Sequence, residues 1–242
     1  MISFVVIQFF SACKKNDFRT GLAPINQLND KTPGSSSRDL LTEYNYTSLT
    51  IEIQYMKGFE PDDFALNLVT SFLNSLIYKS GGIAISKKEI EEEGKSSYSI
   101  SEIATIEQKN RTTYNTGKNI AVYILIADGS YNNQSALGVS YRNTSLCLFG
   151  KTIFDIANSP PGIRTTIEAS IIEHEFGHLL GLVDLGCPMI TNHKDAVNEN
   201  HCSVKNCLMY FQTESEGILG FSIDIPRLDS QCLADLHANG GK

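Results

Sequence analysis

Ile171-Ile172-Glu173-His174-Glu175-Phe176-Gly177-His178-Leu179-Leu180-Gly181 decides how the rest of the chain is read. On an α-helix His174 and His178 stand four residues apart on one face, the spacing at which two imidazoles can grip one zinc ion. Glu175, beside them, is placed to take a proton from a water molecule next to that metal. Upstream, Ser159-Pro160-Pro161 puts proline in a first helical turn, so the spacing predicts a helix from about Gly162 to Leu180. Ile167, Ile171, His174 and His178 share one face, while Ala169, Ile172, Phe176, Leu179 and Leu180 cover much of the other side. Only Ser170, Glu173 and Gly177 make a narrow polar stripe. A helix apolar nearly all round is buried, so the two histidines belong to the core. Gly181, three residues after His178, allows a sharp turn out of the helix.

Working outward, Leu49 to Met56 alternates apolar and polar residues, a half-buried strand. Pro61-Asp62-Asp63 then opens a helix in which Phe64, Leu68, Phe72, Leu76 and Ile77 recur at helical spacing, up to Gly81-Gly82. Ile83-Ala84-Ile85 is a short apolar strand, so residues 49 to 90 read as strand, helix, strand, a parallel crossover. Lys87 to Ser99 is charged and reads as solvated. Ser101 to about Arg111 is helical, with Ser101 as its cap. Ile120 to Ala127 is apolar almost without interruption, a central strand covered on both faces. Ala136 to Tyr141 and Ser145 to Ile153 read as two further extended stretches, one of them an exposed edge. After the core helix comes a long loop, Leu182 to Asn206. Asp224-Ile225-Pro226 then starts a last helix, with Leu228, Cys232, Leu233 and Leu236 as its apolar face and Gly240-Gly241 as its stop. The expected fold class is α+β, a mixed sheet around a central zinc-binding helix with a smaller C-terminal half.

The chain has 242 residues, of which 41% are hydrophobic and 19% charged, enough for one sizeable core. A net charge of -7 argues against nucleic acid as a partner, since phosphate binding needs clustered Lys and Arg. No apolar run approaches the ~18 residues of a spanning helix.

The pattern His174-Glu175-x-x-His178-x-x-Gly181-x-x-Asp184, followed by Met209, resembles the metzincin clan of zinc metallopeptidases. That resemblance implies His174 and His178 as zinc ligands, Glu175 as general base and Met209 as the Met-turn beneath the metal. It leaves three residues open as the third ligand. Asp184 has the spacing some metzincins use. His201-Cys202-x-x-x-x-Cys207-x-Met209 resembles the archaemetzincin element, whose His is a ligand, and this favours His201. His193 is a further alternative. Archaemetzincins also hold a second, structural zinc on these cysteines and a later Cys-x-x-Cys. This chain has only Cys232 there, so a Cys202–Cys207 disulfide pinning the Met-turn is an equal alternative. Pairing among Cys147, Cys187, Cys202, Cys207 and Cys232 is not legible from spacing.

Met1 to Cys13 resembles the end of a bacterial lipoprotein signal, with small residues directly before Cys13, although no Lys or Arg precedes the apolar run. The whole is similar to predicted lipoprotein metalloproteases of Bacteroidetes-type bacteria. On this resemblance residues 1–13 are a signal, 14–44 a polar tether and 45–242 a catalytic domain. Cys13 would be lipidated, anchoring an exported, monomeric protein at the outer membrane or cell surface by lipid alone. The function implied is a zinc-dependent endopeptidase acting on protein or peptide. The competing expectation is a non-catalytic cell-surface binding lipoprotein with a structural zinc, in which Glu175 would have no task.

Overall fold

The computed structural model describes residues 26–132, 135–157, 163–215 and 224–242. The signal and Cys13, and the prolines expected to open the core helix, lie outside these residues. In chain order the strands are Ser48–Met56 (β1), Ile83–Ile90 (β2), Ser97–Tyr98 (β3), Asn119–Ala127 (β4), Ser130–Tyr131 (β5), Gly138–Arg142 (β6) and Ser145–Phe149 (β7). The helices are Ser37–Leu41 (α1), Asp63–Leu76 (α2), Ile100–Asn110 (α3), Gly150–Ala157 (α4), Ile163–Leu179 (α5) and Ser230–Ala238 (α6). The main sheet has the order β2-β1-β4-β7-β6, and β3 pairs with β5 apart from it. β1, β2, β4 and β7 are parallel, and only the edge strand β6 runs antiparallel, against β7. The molecule is thus a mixed α/β structure around a mostly parallel sheet, as the alternation of strand and helix in sequence requires.

β4 shows why the sheet lies at the centre. Its side chains alternate between two cores, with Ile120, Val122, Ile124 and Ile126 in one and Tyr123, Leu125 and Ala127 in the other. The first core takes α2 and α5, through Val69, Leu73, Ile171, Ile172 and Phe176. The second takes α3, through Ile103 and Ile106. α2 starts where Asp62 accepts from the backbone N–H groups of Phe64 and Ala65.

Several boundaries differ from the sequence expectation. β2 continues through Lys87 to Ile90, because an edge strand tolerates charges on its open side. There Lys87 pairs with Glu60 and Asp63. α3 is capped by Ser99, not Ser101, in a reciprocal capping box with Glu102. Ser145 to Ile153 is not one extended stretch. β7 ends at Phe149, opposite Ala127, and α4 begins at Gly150, a change that a continuous apolar run conceals. The last helix does not start at Asp224. It begins after Asp229, whose carboxylate accepts from the N–H groups of Gln231 and Cys232, and Leu233 lies outside its buried face at 42% exposed.

The expected tether is also corrected from Asn26 onward. Leu40 and Leu41 of α1 are buried in the main core. Asn143, in the β6–β7 turn, donates to the Leu28 carbonyl and to Ser36 Oγ, and accepts from Lys31 N. An amide with three such partners ties the lead-in segment to the end of the sheet.

Candidate metal centre

α5 carries its two histidines into the core and stops just beyond them. Gly181 adopts φ +88, and Leu182 N donates back to the Gly177 carbonyl, a left-handed helix end. The chain then runs through the loop of residues 182–200 and returns at His201. Its return is fixed by two backbone bonds, Asp195 N to His201 O at 2.7 Å and Cys202 N to Met209 O at 2.7 Å. Met209 is fully buried against α5, where a Cβ on Gly177 would stand 2.2 Å from its Sδ. Changing Gly177 to Ala should therefore destabilise the fold by about 1–3 kcal/mol, despite alanine's better helix propensity. A denaturant midpoint that does not fall would show that Met209 can move aside.

Three imidazoles meet above Met209. Ring centroids lie 4.8 Å apart for His174 and His178, 5.4 Å for His174 and His201, and 5.3 Å for His178 and His201. His174 Nδ1 lies 2.7 Å from the Leu208 carbonyl and His201 Nδ1 lies 2.8 Å from the Glu199 carbonyl. A carbonyl can only accept, so each Nδ1 carries the proton, and on a neutral ring each Nε2 presents a lone pair. Burial lowers the His201 pKa, but the adjacent Glu214 outweighs it and raises it. Those Nε2 atoms point inward, with His174 Nε2 and His178 Nε2 3.1 Å apart. Burial pushes His174 down to about 4 and His178 well below its usual range, which keeps both rings neutral as metal ligation requires.

Two carboxylates complete the site. Glu175 Oε2 accepts from Ser140 Oγ of β6 at 2.8 Å, and the same hydroxyl also reaches the Glu175 carbonyl. Glu175 Oε1 is buried without a hydrogen-bond donor, as is His201 Nε2 without a partner of hydrogen-bonding geometry. Glu214 sits at the end of a 3-10 turn, Phe211–Glu214. Its Oε2 is 3.6 Å from His174 Nε2 and its Oε1 is 3.2 Å from His201 Nε2. Burial and the facing Glu214 hold the Glu175 carboxyl well above the usual carboxylate range. Burial works against Glu214 too, but the neighbouring imidazoles outweigh it and bring it down to about 2.

The donor atoms of His174, His178, His201 and Glu214 all lie within 4.8 Å of one another. Donors around a tetrahedral zinc stand about 3.3–3.5 Å apart, from bond lengths near 2.0–2.1 Å. The unpartnered lone pairs and the observed spacings fit that group. The cleft beside them encloses about 520 Å³ and is lined by Thr32, Pro33, Val139, Ser140, Glu175 and His178, among others. A larger cavity of about 730 Å³, beside Glu173 and Leu228, includes none of these donors.

A second cluster of ligand-type side chains forms next door. His193 Nδ1 is 3.3 Å from Cys202 Sγ and 3.9 Å from Cys232 Sγ, and Cys207 Sγ is 3.7 Å from Cys232 Sγ. Around one zinc, two sulfurs stand about 3.8 Å apart and a sulfur and a nitrogen about 3.5 Å apart. Backbone N–H groups of Met209 and Asp229 point at Cys207 Sγ, both at 3.4 Å. The thiols of Cys202 and Cys232 and these N–H groups hold Cys207 down to about 4. The other nitrogen of His193 meets Asp235 Oδ2 at 2.8 Å, a carboxylate that fixes the ring as it does behind many metal ligands. Asp229 Oδ1 caps α6, and its Oδ2 lies 3.0 Å from Cys202 Sγ, so the donor atoms of His193, Cys202, Asp229 and Cys232 all lie within 4.8 Å of one another.

The structure therefore brings His201, from across the long loop, to His174 and His178. Asp184 lines the cleft edge, 62% exposed, and pairs with Lys194 at 3.1 Å. His193 belongs to the second cluster. No disulfide joins the described cysteines, so the Cys202–Cys207 pairing is absent and both thiols are free beside Cys232. Sequence reasoning missed Glu214, which has no motif spacing of its own. It also missed His193 and Asp229 as companions of the cysteines; for Asp229 the available sign was Asp229-Ser230-Gln231-Cys232, which stands where archaemetzincins have their later Cys-x-x-Cys.

No family model matches the chain, and no curated protein does. Among solved structures, an archaemetzincin from Methanopyrus kandleri is similar over 81% of this chain and 96% of its own, at 15% identity and a TM-score of 0.48. Metalloproteinase-II from Bacteroides fragilis is similar over 82% of this chain and 56% of its own, at 15% identity and a TM-score of 0.43.

Proposed function

We propose that the protein is a zinc-dependent endopeptidase of metzincin type. The observation that carries this reading is the meeting of three imidazole donors at a cleft that Glu175 also lines, with one of its buried carboxylate oxygens free of donors. A zinc ion held by His174, His178 and His201 would act as a Lewis acid on a peptide carbonyl and acidify water to a pKa of about 7. The chain's own residues supply the proton movements. Glu175 Oε1, free of donors, receives the proton of the attacking water, and Ser140 holds Oε2 so that the carboxyl cannot rotate away. The same carboxyl returns the proton to the leaving amine as the peptide C–N bond breaks. β6 is the sheet's edge and borders the cleft through Val139 and Ser140, so an extended peptide can add to it as a further strand.

The second cluster, His193, Cys202 and Cys232 with Asp229 or the adjoining Cys207 as a fourth donor, fits a structural zinc with four protein ligands. Export and anchoring through Cys13 remain part of the same reading, supported by the lipobox-like residues before it. Among the described residues no helix is long and apolar enough to cross a membrane.

One observation favours the competing role, a non-catalytic binding protein. Glu214 fills the fourth side of the histidine site, and fully protein-ligated zinc is the mark of structural centres. Zinc content measured together with cleavage of unstructured peptides, before and after mild chelation, separates the two. The endopeptidase should hold about two zinc ions per chain and lose cleavage, not fold, when the more accessible one is removed. Unfolding without any cleavage at any stage would establish the structural role instead.

A further inference from the structure

The position of Glu214 goes beyond this scheme. We infer that Glu214 is a fourth protein ligand of the histidine metal centre and acts as its internal plug, so that the resting enzyme blocks its own fourth coordination position until peptide docks. The inference rests on the endopeptidase reading and deepens it.

Three observations carry it. The first is distance. Glu214 reaches His201 Nε2 at 3.2 Å and His174 Nε2 at 3.6 Å, with His174 Nε2 and His178 Nε2 at 3.1 Å. These are spacings expected between donors that share one tetrahedral ion, at about 3.3–3.5 Å. The second is charge. Among the described residues, the ion partners of Glu214 are His174 and His201. A metal held by these imidazoles would add a positive charge that this one-quarter-exposed carboxylate is placed to neutralise.

The third is the backbone that presents it. The Glu214 carbonyl accepts from Leu137 N at 2.7 Å, and Ser215 bridges Ala136. Leu137 directly precedes β6, the edge on which substrate would pair. The plug is thereby fastened to the strand that receives the peptide. A peptide adding to β6 presses on the backbone bond that holds Glu214 in place, so docking and unblocking are one event. A carboxylate serving only to charge the cleft would need neither the fixed main chain nor the short distances.

The test compares wild type with Glu214→Gln and Glu214→Ala in the full chain. Zinc affinity is measured by competition with a chromophoric chelator. Ligand geometry is read from the visible spectrum of the cobalt-substituted protein, and kcat/KM from cleavage of a quenched fluorescent peptide library. Glu214→Gln keeps the side chain's size and guards against a folding artefact in Glu214→Ala. The expected result is a zinc affinity at least about tenfold weaker, a changed cobalt spectrum and a several-fold higher kcat/KM at saturating zinc. Unchanged affinity and spectrum would overturn the ligand assignment. Weaker affinity with kcat/KM falling in both variants would overturn the plug, making Glu214 a supporting ligand. Zinc binding without cleavage by wild type or either variant would sink the endopeptidase reading itself, and the plug with it.

Discussion

Glu175→Gln is expected to lower kcat/KM for peptide cleavage by about 10²–10⁴-fold, the usual contribution of a positioned general base. Zinc content and thermal midpoint should stay near wild type. Glutamine keeps the volume of the side chain, and its carbonyl oxygen can still accept from Ser140 Oγ, now at 2.8 Å from Glu175 Oε2. The change removes only the ability to hold a proton at a site where Oε1 has no competing donor. Burial disfavours the charged form of this carboxyl, so a neutral amide introduces no new burial penalty. Peptide cleavage at the wild-type rate, with equal zinc bound, would exclude Glu175 from the chemistry.

The second large effect is expected at the cysteine cluster. Cys232→Ala should reduce bound zinc from about two ions to one per chain and lower stability by roughly 4 kcal/mol, since loss of a metal is among the few single changes of that size. In a domain this large that is about 8–16 °C in Tm. Cys147→Ala is the control. Cys147 is equally buried, but it packs beside Phe149 in the core on the α3 side, away from His193. Its loss should cost a small cavity and no metal. Metal analysis after gel filtration and a thermal melt decide the matter. Two zinc ions retained in Cys232→Ala, or one in wild type, would remove the second centre.

The parts of the molecule that follow from local pattern could be read from the sequence. β4 announces itself by an unbroken apolar run, and α5 by its apolar surface with His174 and His178 at a spacing of four. Gly181 could be placed because it answers a local demand, a left-handed turn, and Met209 only through the resemblance to the metzincin pattern. The rest depends on where the chain returns after long excursions. His193 and Asp235 meet across 42 residues, and Cys207 and Cys232 across 25. Glu214 acquires meaning only when its backbone joins Leu137. No periodicity encodes such meetings. The lead-in before β1 reads as a tether for a related reason. Its composition is that of a linker, but a few residues, Asn29, Leu40 and Leu41, find buried partners far along the chain.

Those lead-in contacts also bear on folding kinetics. Asn29 donates to Thr144 Oγ1 across 115 residues, and Lys31 N reaches Asn143 across 112. Closing loops of that length is slow and late, because the ordering cost comes before the contacts repay it. β1, β4 and β7 must be assembled before the docking surface for residues 26–36 exists. The same segment touches the cleft through Thr32 and Pro33 and is held mainly by hydrogen bonds rather than apolar burial. It is therefore a natural first unit to open in the folded state. Amide protons near Lys31 should exchange with solvent ahead of those of β4, so one margin of the cleft would open and close on its own clock while the sheet beneath stays shut.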